Sequence, residues 1–158
     1  MTQGTAMRNL FMAVLLMLAF GAARADDPRG LVTKPSPWSV SETIDRLEEL
    51  VRAKGITIAL RWNHGERAGQ VGIPLRPTEL LMFGNPKLGS HLFTSRQSAG
   101  IDLPMKVLAW EDEEGRVWLG YNDPRWIAAR HGIDDRDEVI GRMSRALDGL
   151  TDRAVAKP

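Results

Sequence analysis

The sequence predicts an α+β domain, a mainly antiparallel sheet of four to five strands with helices packed on one face. Three observations carry this expectation. Ser39 to Lys54 places its apolar residues at helical spacing, Ile56 to Trp62 switches to strict alternation, and Met105 to Trp110 and Arg116 to Tyr121 are two strand-like runs joined by a loop of hairpin length.

Residues 26–38 contain Pro28, Pro35 and Pro37. Proline cannot donate to a sheet ladder, so this extension is expected to hold one short edge strand near Leu31 to Lys34. Ser39 and Glu42 form a capping box, Val40, Ile44, Leu47, Leu50 and Val51 fall on one helical face, and Gly55 closes the helix. The next strand puts Ile56, Ile58, Leu60 and Trp62 on one side and Thr57, Ala59 and Arg61 on the other. Residues 63–78 mix Asn63, Pro74 and Pro77 with several glycines, leaving room for one helical turn near Glu66 to Val71. Leu80 to Phe83 reads as a brief, wholly apolar central strand.

Asn85-Pro86 is a helix start, because asparagine caps free backbone donors and proline suits the first helical position. That helix is expected to run to about Gln97. After the hairpin, Asp123-Pro124 opens another short helix ending at His131 before Gly132. Asp135 with Glu138 opens the last one, which carries Val139, Ile140, Met143, Leu147 and Leu150 as a single stripe. The single domain is expected over residues 39–150, followed by a flexible polar tail at 151–158.

The N-terminus has the three parts of a secretory signal peptide in order: Arg8, the apolar run from Leu10 to Phe20, and the small-x-small site Ala23-Arg24-Ala25. Cleavage is favoured over retention as an anchor, since a spanning helix needs roughly 20 apolar residues. A periplasmic or secreted location follows as the expectation. The 21 basic and 20 acidic residues of the chain give a net charge of +1, and loss of Arg8 and Arg24 with the leader turns this to −1. No electrostatic footprint for nucleic acid is present. With no cysteine, disulfides, thiolate metal sites and thiol catalysis are excluded.

Residues 83–89 (FGNPKLG), 101–112 (IDLPMKVLAWED) and 117–131 (VWLGYNDPRWIAARH) stand in order with His64 and the Leu75–Leu80 segment LRPTEL. From Ser39 to His131 this pattern resembles the domain-of-unknown-function family 302. The resemblance implies a compact α+β domain, frequently exported, often a homodimer in crystals, and without an agreed reaction.

Among single residues, Asn85, Lys87, Lys106 and His64 stand out. A helix opening directly after a strand has backbone N–H groups without intrahelical partners, which can face a small carboxylate or phosphate. Lys87 and Lys106 would add charge, and His64 at a strand end is the best candidate for acid/base work. The bland alternative has Asn85 acting only as a cap and Lys87 solvated. The leading expectation is a non-catalytic module for a small anionic or amphipathic ligand. The rivals are an enzyme using His64 as general acid/base, or a structural or interaction protein with exposed aromatics. His64, His91 and His131 lack the spacing of a metal site, and Glu111 to Glu114 read as a solvated hairpin tip. No metal or cofactor is expected. Trp62, Trp110 and Trp118 fall on strands, as core packing or as a subunit or ligand surface.

Overall fold

The computed structural model describes residues 29–157, and the expected signal peptide at 1–25 lies outside the described residues. The order of elements is β1 (Leu31–Ser36), α1 (Val40–Ala53), β2 (Thr57–Asn63), α2 (His64–Gln70), β3 (Thr78–Gly84), α3 (Pro86–Ser95), a 3₁₀ turn (Gln97–Ile101), β4 (Met105–Glu111), β5 (Val117–Asn122), α4 (Pro124–His131) and α5 (Asp137–Ala154). The strands form one sheet in the order β1-β5-β4-β3-β2, with antiparallel pairing throughout. This is the expected α+β architecture.

Cross-strand register sorts the side chains into two faces. On the core face lie the rows Ile58–Phe83–Met105 and Arg61–Leu81–Val107–Tyr121–Val32. α1 lies across this face and α5 packs against α1 and α4. Ile44, Leu47 and Val51 of α1 and Leu150 of α5 are wholly or almost wholly buried, each contributing on the order of 1.5–3 kcal/mol as apolar surface removed from water. A third core-face row, Lys34–Leu119–Ala109–Glu79, carries a charge near each end. Both charges are buried and both are paired. Lys34 Nζ meets Asp148 Oδ1 at 2.8 Å and also binds Asp152, while Glu79 Oε1 accepts from Arg61 Nε at 2.6 Å.

Several sequence expectations need correction. The alternation of β2 breaks at a register shift between Ile58 and Leu60. Ile58 and Arg61 therefore face the core, while Leu60 and Trp62 point the other way, so the four expected partners do not share a side. β3 is longer than expected and alternates between buried and half-buried residues, because helices cover one face only. The third helix ends at Ser95, and the chain continues in a separate 3₁₀ turn. Asp135 does not cap the last helix. Arg136 occupies the cap position, and the Asp135 carboxylate accepts from Ser95 Oγ at 2.6 Å. That helix also runs past Leu150 to Ala154, because Thr151 and Ala154 are buried, so the flexible tail does not begin at 151.

The β4–β5 hairpin closes on Asp112. Its carboxylate accepts from Trp118 Nε1 at 2.7 Å, from the Arg116 backbone N–H at 2.8 Å and from Arg116 Nε at 2.8 Å. Desolvation works to raise its pKa, but these three donors and the Arg116 charge hold it far below the usual carboxylate range. A depressed folded-state pKa contributes stability that is whole above the unfolded value of about 3.9 and is lost as pH falls through the folded value. Asp112→Asn is accordingly expected to destabilise the protein near pH 7 and to flatten the acid limb, as read from urea unfolding at a series of pH values.

Candidate functional site

β3 hands over to α3 at Asn85, as the sequence predicts, but the junction is self-contained. Pro86 has no N–H. The Lys87 N–H donates to Asn85 Oδ1 at 3.0 Å, and the Leu88 and Gly89 N–H groups both donate to the Asn85 carbonyl at 2.9 Å. No donor of the first turn is left for an anion, which corrects the expected recess of unpaired amides. Asn85 is a cap, the blander of its two readings.

The four candidate residues are not one site. His64 opens α2 after Asn63, and Asn63 pairs with Glu79, whereas Gly84 before Asn85 pairs with Thr57. The full length of β2, about 20 Å at some 3.3 Å per residue, separates His64 from Asn85. His64 is exposed there, with Arg67 of the same helix stacked over Trp62 at 4.2 Å. Lys87 is exposed on the first turn of α3. Lys106 does lie toward the Asn85 end, opposite Met82, but on the open face of the sheet, where its ammonium donates to the Asp102 carbonyl at 3.1 Å.

At the Asn85 end the structure holds a cleft of ≈ 260 Å³ instead. One wall is α3, with Pro86, Leu88 and Phe93, and the other is α5, with Met143 and Leu147. Phe83 and Met105 of the sheet also line it. α3 is short and carries Gly89 where a side chain could fill the gap; a Cβ there would meet nothing within 4 Å. The lining is almost wholly carbon, with Thr57, Asn85 and Ser90 as its polar members.

A second constellation joins residues remote in sequence. Ser98 Oγ lies 3.0 Å from His131 Nδ1, and His131 Nε2 lies 2.7 Å from Asp102 Oδ2. Arg130 Nη1 holds the other Asp102 oxygen at 3.2 Å. The side chains of His131 and Asp102 are 8% and 12% exposed, whereas Ser98 is exposed. His131 is visible in the sequence only as the residue before Gly132, whose left-handed conformation (φ 63°) stops α4. Nothing in its spacing announces Ser98 or Asp102.

The open face of the sheet carries the rows Trp62–Leu80–Leu108–Gly120 and Thr78–Trp110–Trp118–Pro35. Trp110 lies across Gly120, where a Cβ would come within 2.9 Å of its ring. The three strand tryptophans thus belong to this half-buried face and not to the core. For the junction itself, Asn85→Ala is expected to cost about 1 kcal/mol as a lost cap, while Lys87→Ala leaves stability within about 0.5 kcal/mol of wild type. Equilibrium urea unfolding of both variants measures the contrast.

Comparison with known proteins agrees with the fold. The profile of the family described as "Domain of unknown function DUF302" matches residues 32–150. The crystal structure of an uncharacterized conserved DUF302 protein from Bacillus stearothermophilus superposes with a TM-score of 0.71 at 21% identity, covering 79% of this chain and 98% of that one. At that identity the likeness concerns the fold alone. Two curated relatives are proteins named fluoride-specific ion channel FluC 1. The one from Brucella suis biovar 1 (strain 1330) is 41% identical over 140 residues, covering 82% of this chain and 55% of the relative. The one from Brucella abortus biovar 1 (strain 9-941) is likewise 41% identical over 140 residues, covering 82% and 52%. The chain spans about half the length of these relatives. With its profile match, its antiparallel five-stranded sheet and its structural neighbour in agreement, the chain belongs to the DUF302 family.

Proposed function

We propose that the protein is an exported binding module that seats the apolar part of a small amphipathic molecule in the cleft between α3 and α5. The observation that carries this reading is an open, carbon-lined recess between α3 and α5, floored by the core residues Phe83 and Met105. Its volume lies slightly under the usual span of about 300–1,000 Å³ for small-molecule pockets, which suits a small ligand or the end of a longer chain. Apolar walls select by shape and by release of water, and the few polar groups at Thr57, Asn85 and Ser90 orient what enters. Lys87, exposed and standing between the wall residues Pro86 and Leu88, is the cation available to an acidic head group.

His64 has no place in this reading, since it stands at the far end of β2. Nor is the channel activity named for the Brucella relatives assigned here. The chain covers about half of their length, and among the described residues no helix is long and apolar enough to cross a membrane.

Binding of anilinonaphthalene sulfonate, an amphipathic anion that fluoresces in apolar surroundings, tests the proposal. Saturable binding is expected, displaced by a medium-chain carboxylate. Gly89→Leu should fill the cleft and weaken dye binding at least about 10-fold without lowering Tm, since glycine inside a helix already costs about 0.5–1 kcal/mol. Unchanged affinity in a folded Gly89→Leu protein would exclude the cleft.

Pairing of two copies, implied by the family resemblance, is proposed to use the open face of the sheet. Leu80, Leu108 and Trp110 form an apolar centre there, and Arg67 and Arg116, stacked on Trp62 and Trp118, supply a charged margin. An apolar centre with a polar rim is the usual anatomy of an interface, and a two-fold pair uses the same patch twice. Sedimentation velocity should show a dimer that Leu108→Glu converts to a folded monomer, and a wild-type monomer at high concentration would refute this arrangement.

A further inference from the structure

We propose that Ser98 is an activated nucleophile for acyl transfer from small carboxylic esters, with His131 as its base and Asp102 as the residue that positions the imidazole. The inference is independent of the cleft.

Three features of the geometry support it. Asp102 Oδ2 stands 2.7 Å from His131 Nε2 and can only accept a hydrogen bond while ionised, so the ring hydrogen belongs on Nε2. That leaves the Nδ1 lone pair aimed at the Ser98 hydroxyl 3.0 Å away. The two ring nitrogens exchange the roles they have in the serine-protease triad, but nucleophile, base and orienting carboxylate are in line, and such a constellation is defined by geometry and roles.

The second feature is the distribution of exposure. The imidazole and carboxylate are sheltered, while Ser98 faces solvent and can be reached by a substrate. An exposed hydroxyl can satisfy itself with water, so burial does not oblige Ser98 to bond the imidazole. The third is support from behind. Arg130 Nη1 holds Asp102 Oδ1 at 3.2 Å, Lys106 Nζ donates to the Asp102 carbonyl at 3.1 Å, and Gly132 ends α4 directly after His131. Asp102 is thus fixed through both its carboxylate and its backbone carbonyl, and a positioned base needs such fixing.

The chemistry closes with water as the one co-reactant beside the ester. Ser98 Oγ attacks the ester carbonyl carbon as its proton passes to His131 Nδ1, and the carbonyl electron pair moves to oxygen. Collapse of this adduct breaks the bond to the alcohol, which leaves with the proton from Nδ1, and acyl-Ser98 remains. Water then adds to the acyl group, giving a proton to Nδ1. The carboxylic acid departs as Ser98 Oγ takes that proton back.

The test is reaction of the full purified chain with a fluorophosphonate, an electrophile for activated serines, followed by peptide mapping. One adduct is expected, on Ser98, formed at least about 100-fold faster than on exposed Ser41 of α1. It should vanish in Ser98→Ala and slow about 100-fold in His131→Gln. Asp102→Asn, folded, should slow the reaction at least about 10-fold and Asp102→Glu, which keeps the carboxylate, should restore part of the rate; a role confined to holding the fold would leave the labelling rate of both folded variants unchanged. No adduct on Ser98, or equal rates in wild type and folded His131→Gln, would overturn the proposal. Should His131→Gln fail to fold, the wild-type chain in unfolding urea serves instead. There the advantage of Ser98 over Ser41 must disappear, and its persistence overturns the proposal equally.

Discussion

Burial of one face of a five-stranded sheet under α1 and α5 is the constraint on which the rest of the molecule depends. Leu81, Val107 and Leu119 are fully enclosed by it, while their neighbours one residue away point to the opposite side. The same constraint explains the two buried charges. Lys34 and Glu79 take core-face positions on β1 and β3, where water is displaced, and each is matched by ionic partners reaching from α5 or β2. Breaking either pair by removing one partner would strand a charge in a place that cannot solvate it.

The helical layer is also incomplete, and the incompleteness has a local cause. α3 is ten residues long and has Gly89 on the wall toward α5, so a recess remains between the two helices above the buried Phe83 and Met105. A recess of this kind arises from chain length and a missing side chain and needs no strain. The junction offers no free amide donor, because Asn85 accepts from every N–H of the first turn. The chemistry available there is therefore exclusion of water from an apolar group, and the ionisable chemistry sits elsewhere, where the 3₁₀ turn meets the end of α4.

Much of the architecture was legible from the chain because it is local. The capping box of Ser39 and Glu42 forms as the spacing requires, Asn85 and Asp123 cap their helices, and Gly132 takes the left-handed stop. The hairpin between β4 and β5 likewise follows from its loop. What failed was local pattern overridden by packing. The shift in β2 rotated Leu60 and Trp62 away from the core, Asp135 found Ser95 in place of its own helix, and α5 was extended by burial of Thr151 and Ala154.

The sequence by itself determined the main helices and strands, the antiparallel sheet, the caps of α1, α3 and α4 and the family, since each is set by propensity, period or motif within a few residues. Only the tertiary structure decided that His64 and Asn85 stand at opposite ends of β2, that α3 and α5 leave a cleft, and that Ser98, Asp102 and His131 meet. Those are contacts between segments distant along the chain, and no spacing rule acts over such separations. They follow from which face of the sheet is buried and where each helix must end once it is.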